Sequence, residues 1–140
     1  MSYITEVELK DYITERELIQ LTDDAKTGEV DSVKVAAAIT AAGAEIDAYA
    51  ATRYAVPLQL SEKVKQLARD IAIWHLEKRR RRIREDTQKA YDLALAFLKD
   101  LAAGRAQLDQ PATAAPQSGG QLVRTTECEE VFSDENLDRF

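Results

Sequence analysis

The feature that most constrains this chain is a run in which Val35, Ile39, Ala42, Ile46, Tyr49 and Arg53 recur at alternating steps of four and three. Only an α-helix brings positions so spaced onto one face, so the segment from Ser32, which can serve as its N-cap, is expected to form a helix of roughly 21 residues. Its many alanines and Gly43 let another backbone come close, so "AAAITAAGAEIDAYAA" reads as tight helix packing rather than as a cofactor site. Pro57 forbids helical continuation and biases Val56 toward an extended conformation, giving a short stiff crossover.

Other segments repeat the signal. Thr5-x-x-Glu8 and Thr14-x-x-Glu17 are capping boxes, each followed by apolar residues, and predict two short helices over about 5–12 and 15–21. Ser61 opens a further helix whose face carries Val64, Leu67, Ala68, Ile71 and His75, widened by Ala72 and Leu76, so that both sides are covered. From about Thr87 the pattern resumes with Ala90, Leu93, Ala94, Phe97 and Leu101, and Gly104 sits where a C-terminal glycine belongs. The expectation is an all-α fold: a small helical bundle of three long helices plus two short N-terminal helices, with an extended C-terminal arm. Low aromatic content, 6 %, suits close helix packing better than a sandwich of strands. The bundle domain is assigned to 1–105, and a flexible linker rich in Pro, Ala, Gln, Ser and Gly to 106–121. A terminal arm, 122–140, regains Leu122, Val123, Val131, Phe132, Leu137 and Phe140, suited to a short strand, to contact with a neighbouring subunit or to folding back on its own bundle.

Catalytic patterns are absent from the sequence. His75 is the lone histidine and lies on an apolar helix face, where a hydrogen-bonded core role is expected. Cys128 stands beside three glutamates, which raise rather than lower a thiol pKa, and a single cysteine allows neither an intrachain disulfide nor a cysteine zinc site. The five glycines form no phosphate-cradling loop, and "TDDAKTGEVD" lacks the ligand spacing of a calcium loop. The chain is therefore expected to be no enzyme and to need no cofactor or metal. It is also expected to be soluble, since the N-terminus lacks a signal-peptide pattern and no apolar run approaches the ~20 residues of a membrane span.

Charge is segregated. Residues 1–60 hold 11 acids against 5 bases, residues 61–105 hold 7 against 12, and residues 106–140 hold 7 against 2. Lys78, Arg79, Arg80, Arg81, Arg82 and Arg84 concentrate the basic charge in "EKRRRRIRED". On a continuous helix these side chains would step by about 100° and point all around the axis, so they cannot form one DNA-facing stripe. A protruding elbow is expected instead, with Glu77, Glu85 and Asp86 available for local pairing. Three roles stay open for it: a solvated turn, docking on an acidic protein surface, or contact with the DNA backbone.

Taken together, "AEIDAYAATRYAVPL", "LARDIAIWHL", "YDLALAFLKDLAAG" and "VFSDENLDRF" resemble the small head-tail connector (adaptor, head-completion) proteins of Mu-like tailed phages and prophages. The most specific residues are Ile46, Asp47, Tyr49, Arg53, Tyr54, Pro57 and Leu58, with Asp70, Ile71 and Ala72. The resemblance implies a structural virion protein assembled in the host cytoplasm into a ring of twelve copies in the neck, between the portal and the tail-terminator or other tail proteins. In such a ring the C-terminal arm can cross to the adjacent subunit, portal or tail. The arginine run does not define the family, and it is charge and position that make the elbow a candidate for docking on the portal or touching DNA in the channel. The rival expectation is a small DNA-binding helical regulator that uses segment 78–84.

Overall fold

A computed structural model describes residues 2–112, and among these the structure is all-helical. Five helices follow in order: α1 Glu6–Tyr12, α2 Glu15–Thr22, α3 Ser32–Ala50, α4 Glu62–Arg79 and α5 Glu85–Ala103. The helical bundle read from periodicity is thus the fold. The expected arm residues Leu122, Val123, Val131, Phe132, Leu137 and Phe140 lie outside the described residues. Among the described residues, no helix is long and apolar enough to cross a membrane.

Local chemistry sets most helix ends. Both threonine capping boxes form: Thr5 Oγ1 accepts from Glu8 N (3.3 Å) while Glu8 accepts from Thr5 N (2.8 Å), and Thr14 and Glu17 repeat the exchange at 3.3 and 3.1 Å. Ser61 caps α4 through Val64 N. At the start of α3 the cap is Asp31, not Ser32. The Asp31 carboxylate accepts from both Val33 N and Lys34 N and adds negative charge at the positive end of the helix, whereas Ser32 donates to Glu6. Gly104 ends α5 at φ +81, and a Cβ there would also collide with the Arg53 guanidinium.

The three long helices wrap one apolar interior. Val35, Ile39, Ala42 and Ile46 of α3 meet Val64, Leu67, Ala68, Ile71 and Ala72 of α4, and Ala94, Leu98 and Leu101 of α5 close the third side. Ile71, Ala72, Ile73 and Trp74 are consecutive and all buried, so α4 is covered on both sides as its sequence requires. The two short helices roof this core with Leu9 and Leu18, each fully buried. His75 stays half-buried at the rim of the core, its Nε2 3.1 Å from Glu45 Oε2, and Tyr91 donates to the other Glu45 oxygen at 2.8 Å. Trp74 stacks on Tyr91 at 3.9 Å and donates to Gln88, so this polar rim clamps α3, α4 and α5 together.

Ile46, Asp47, Tyr49, Arg53, Tyr54, Pro57 and Leu58 occupy one junction. Ile46 is buried, and Asp47 accepts a hydrogen bond from the Tyr3 hydroxyl. That same hydroxyl accepts from Leu58 N at 2.9 Å, just past the cis Val56–Pro57 bond. Tyr49 packs against the core, and the buried Tyr54 hydroxyl accepts from Leu108 N at 3.1 Å. Arg53 fills the space above Gly104. These residues therefore tie the N-terminus, the α3–α4 crossover and the segment after α5 into one end of the bundle. Leu108 is buried there and Gln110 accepts from Gln59 N, so packing runs past Gly104 into the stretch that composition assigns to a linker from residue 106. Asp70 stands apart on α4, half-buried, and burial pushes its carboxyl above the usual range.

Burial, with Asp47 as hydrogen-bond partner, also pushes the Tyr3 phenol up to about 12. Removing that hydroxyl in Tyr3→Phe leaves Leu58 N without its acceptor in a buried setting. The expected loss is about 1–3 kcal/mol of folding stability, measured by urea denaturation. An unchanged midpoint would show that the junction does not depend on this bridge.

Candidate functional site

The elbow between α4 and α5 is built by backbone geometry before any charge is considered. Arg81 N donates to Lys78 O (2.8 Å) and Arg82 N to Glu77 O (3.2 Å), with Arg81 in the left-handed region at φ +55. This is the paired-bond ending that helices usually reach with glycine, and holding an arginine there costs roughly 1 kcal/mol. The helix thus stops at Arg79, and the arginines do not ride on a continuous helix.

A buried carboxylate organises the turn. Glu77 is only 1 % exposed, and its side chain accepts from Arg84 N (2.8 Å), Arg84 Nε (2.8 Å) and Thr87 Oγ1 (2.9 Å). Arg84 is the N-cap of α5 but offers no side-chain cap, so Glu77 supplies from the preceding helix the negative group that the α5 N-terminus favours. Glu77 in turn keeps the Arg84 guanidinium protonated to higher pH than usual.

Each basic residue singled out in the sequence has a distinct place. Arg79 binds Asp24 in the α2–α3 loop (2.6 Å) and also the Leu21 carbonyl, while Arg80 reaches the second Asp24 oxygen at 2.8 Å. Lys34 completes the cluster, 2.9 Å from Asp24. Arg84 extends to Glu17 at 3.3 Å, and Lys78 lies 4.7 Å above the Trp74 ring. Arg81 and Arg82 are exposed and make no side-chain hydrogen bond or ion pair with the described residues. The local pairing expected for Glu85 with the arginines does not occur, because Glu85 lies at the start of α5 and binds Lys89 one turn on, at 2.8 Å.

Sequence reasoning therefore found the basic run and named Glu77 as a pairing partner for it, but missed the anchors Asp24 and Glu17. Asp24, Glu17 and Glu77 take up much of its charge, and Lys65 similarly pairs with Glu8 at 2.9 Å. Part of the charge segregation along the chain is thus resolved inside the monomer. Glu77 had one local signal, its position four residues past Ile73 on a helix buried on both sides. Asp24 had none, since its partners are 55 and 56 residues away.

The hydrogen bond from Arg79, followed by that from Lys34, holds the Asp24 carboxyl well below its ordinary range. A depressed folded-state value means that the tether is present above pH ~3.8 and is lost as pH falls through the folded value. Protection factors in the 23–30 loop, which remove the intrinsic pH dependence of amide exchange, are accordingly expected to decline progressively as pH falls below ~3.8 toward the folded value in wild type, and to be low already at neutral pH in Asp24→Asn. Equal protection in both proteins at neutral pH would show that the loop is held by other contacts.

Between α2 and the elbow lies an open groove of about 710 Å³, lined by Glu17, Gln20, Leu21, Glu77, Arg80, Arg82 and Arg84. Among the described residues, no three His, Cys, Asp or Glu side chains are grouped to hold a metal ion. The chemistry on offer is charge and shape recognition: guanidinium groups on a fixed turn beside a partly apolar groove.

No curated protein matches this chain. Residues 3–125 match the family described as Bacteriophage Mu, Gp36. That span takes in every helix and nearly all of the chain, so this protein belongs to the Bacteriophage Mu Gp36 family, a family of phage proteins.

Proposed function

We propose that this phage protein is a head-tail connector, a structural rather than catalytic component of the virion neck that forms a ring between portal and tail. The match to a Mu phage family across residues 3–125 carries the reading. The elbow adds support: Arg79, Arg80 and Arg84 close ion pairs within the chain, whereas Arg81 and Arg82 stand at one end without a side-chain partner among the described residues. In a cyclic assembly each subunit presents one patch to a different patch of the next, and repetition around a ring, here proposed as twelve copies, multiplies a weak contact by avidity. In this reading the elbow docks on the portal or touches DNA in the channel, and the far side receives a tail-terminator or other neck protein.

Electron microscopy of lysates from a phage with an early stop codon in this gene tests the reading, with the wild-type gene supplied in a parallel culture. Packaged or leaking heads beside separate complete tails, rescued by the supplied gene, are expected. Normally joined virions would sink the connector reading.

A further inference from the structure

We propose that the acidic C-terminal segment 127–138 docks in the α2–elbow groove of its own chain, held there by Arg81, Arg82 and the exposed part of Arg80. The docking concerns the free subunit, where the segment covers the arginines that the connector reading offers to portal or DNA on assembly, and it does not depend on that reading.

Three observations converge on this occupant. The first is charge. Glu127, Glu129, Glu130, Asp134, Glu135 and Asp138 place six carboxylates in twelve residues, around Val131, Phe132 and Leu137. The groove offers a matching mixture: Arg80, Arg82 and Arg84 in its lining with Leu21, and Arg81 and Ile83, the latter 37 % exposed, on the turn beside it. Glu17 and Glu77 also line it, but three guanidinium groups, Arg80, Arg82 and Arg84, stand against these two carboxylates, so the lining keeps a net positive charge toward an incoming acid.

The second is reach. Leu108 and Gln110 pin the last described residues beside Tyr54 and Gln59, where α4 begins, whereas the groove lies where α4 ends. An α4 of 18 residues separates the two by about 27 Å. The 15 residues from 113 to 127 can extend up to about 50 Å, so the acidic segment reaches its own groove with chain to spare. Tethering at this length gives an effective concentration in the millimolar range, far above that of a second copy in dilute solution.

The third is the backbone of Arg81. Its left-handed conformation is one that glycine adopts without cost, yet the position carries a guanidinium that no described residue uses. Docked carboxylates give that side chain, and Arg82 beside it, the side-chain partners that no described residue supplies.

Cys128 is the single cysteine of the chain and falls inside the proposed segment, so a nitroxide attached there reports its position by NMR. In dilute full-length protein at low salt, the amides of Gln20, Leu21, Arg81 and Arg82 are expected to lose most of their intensity next to the oxidised label. They should regain it in Arg81→Glu/Arg82→Glu, and at about 1 M salt, where the Debye length is only about 3 Å. Arg81 and Arg82 bond to nothing described, so the double variant keeps the fold, and unchanged signals elsewhere verify this. Undiminished elbow signals in the labelled wild type would overturn the proposal, as would attenuation that survives the charge reversal. Mixing isotope-labelled chains that lack nitroxide with nitroxide-bearing unlabelled chains provides the last arm. Attenuation of comparable size in that mixture would assign the groove to the segment of a second copy and overturn the intrachain assignment.

Discussion

Glu77→Ala is expected to destabilise the bundle by about 2–4 kcal/mol, despite lying beside an exposed turn. The carboxylate takes three hydrogen bonds, from Arg84 N, Arg84 Nε and Thr87 Oγ1, and its removal strands the Thr87 hydroxyl in a site that is 8 % exposed. Leaving a buried donor unsatisfied costs about 1–3 kcal/mol, and α5 loses the negative group at its N-terminus as well. The Arg84 contribution is discounted because its side chain is 56 % exposed and can turn to water. Glu77→Gln keeps the shape and one acceptor oxygen, so about half of the loss is expected there. Urea denaturation measures both variants, and a double-mutant cycle with Thr87→Val isolates the buried bond. A loss under about 1 kcal/mol in Glu77→Ala would mean that water replaces the carboxylate and that the elbow is not built upon it.

Ile71→Ala is expected to cost about 2–5 kcal/mol, the range for truncating a fully buried aliphatic side chain and leaving a cavity. Ile71 is completely buried midway along α4, the helix that packs against both α3 and α5, so the void opens where little can collapse into it. At roughly 4–8 °C per kcal/mol for a domain near this size, the fall in Tm should be at least about 8 °C. Leu93→Ala makes a control on α5: Leu93 is 73 % exposed, and its truncation should change stability by no more than about 0.5 kcal/mol. Comparable losses at both positions would contradict the packing described.

These two positions differ in how far the sequence announces them. Ile71 falls on an apolar face whose period identifies it as core. Glu77 sits in a charged run, where its neighbours suggest a solvated side chain paired one turn away. Its partners are Arg84 and Thr87, brought back by a turn whose shape depends on where α4 stops. The basic run behaves similarly. Its count and its position between two helices are visible in the sequence, but which arginines are engaged is not, because Asp24 comes from a distant loop and Glu17 from another helix.

The sequence by itself determined the five helices, the two capping boxes, the Ser61 cap, the Gly104 stop and the apolar faces of α3 and α4, since each rests on interactions within three or four residues or on helical period. On α5 it placed Leu93 on the core face, whereas the structure buries Leu98 and leaves Leu93 73 % exposed. Even within that range competition misleads: both Asp31 and Ser32 can cap α3, and the carboxylate wins because it takes two backbone donors while Ser32 is drawn to Glu6. The tertiary structure alone decided that Tyr3 bridges Asp47 to Leu58, that Tyr54 receives Leu108, and that Arg81 and Arg82 are left over when Arg79, Arg80 and Arg84 find carboxylates. Such pairings carry no local signature, because they arise only after helix packing has fixed which distant side chains meet in space.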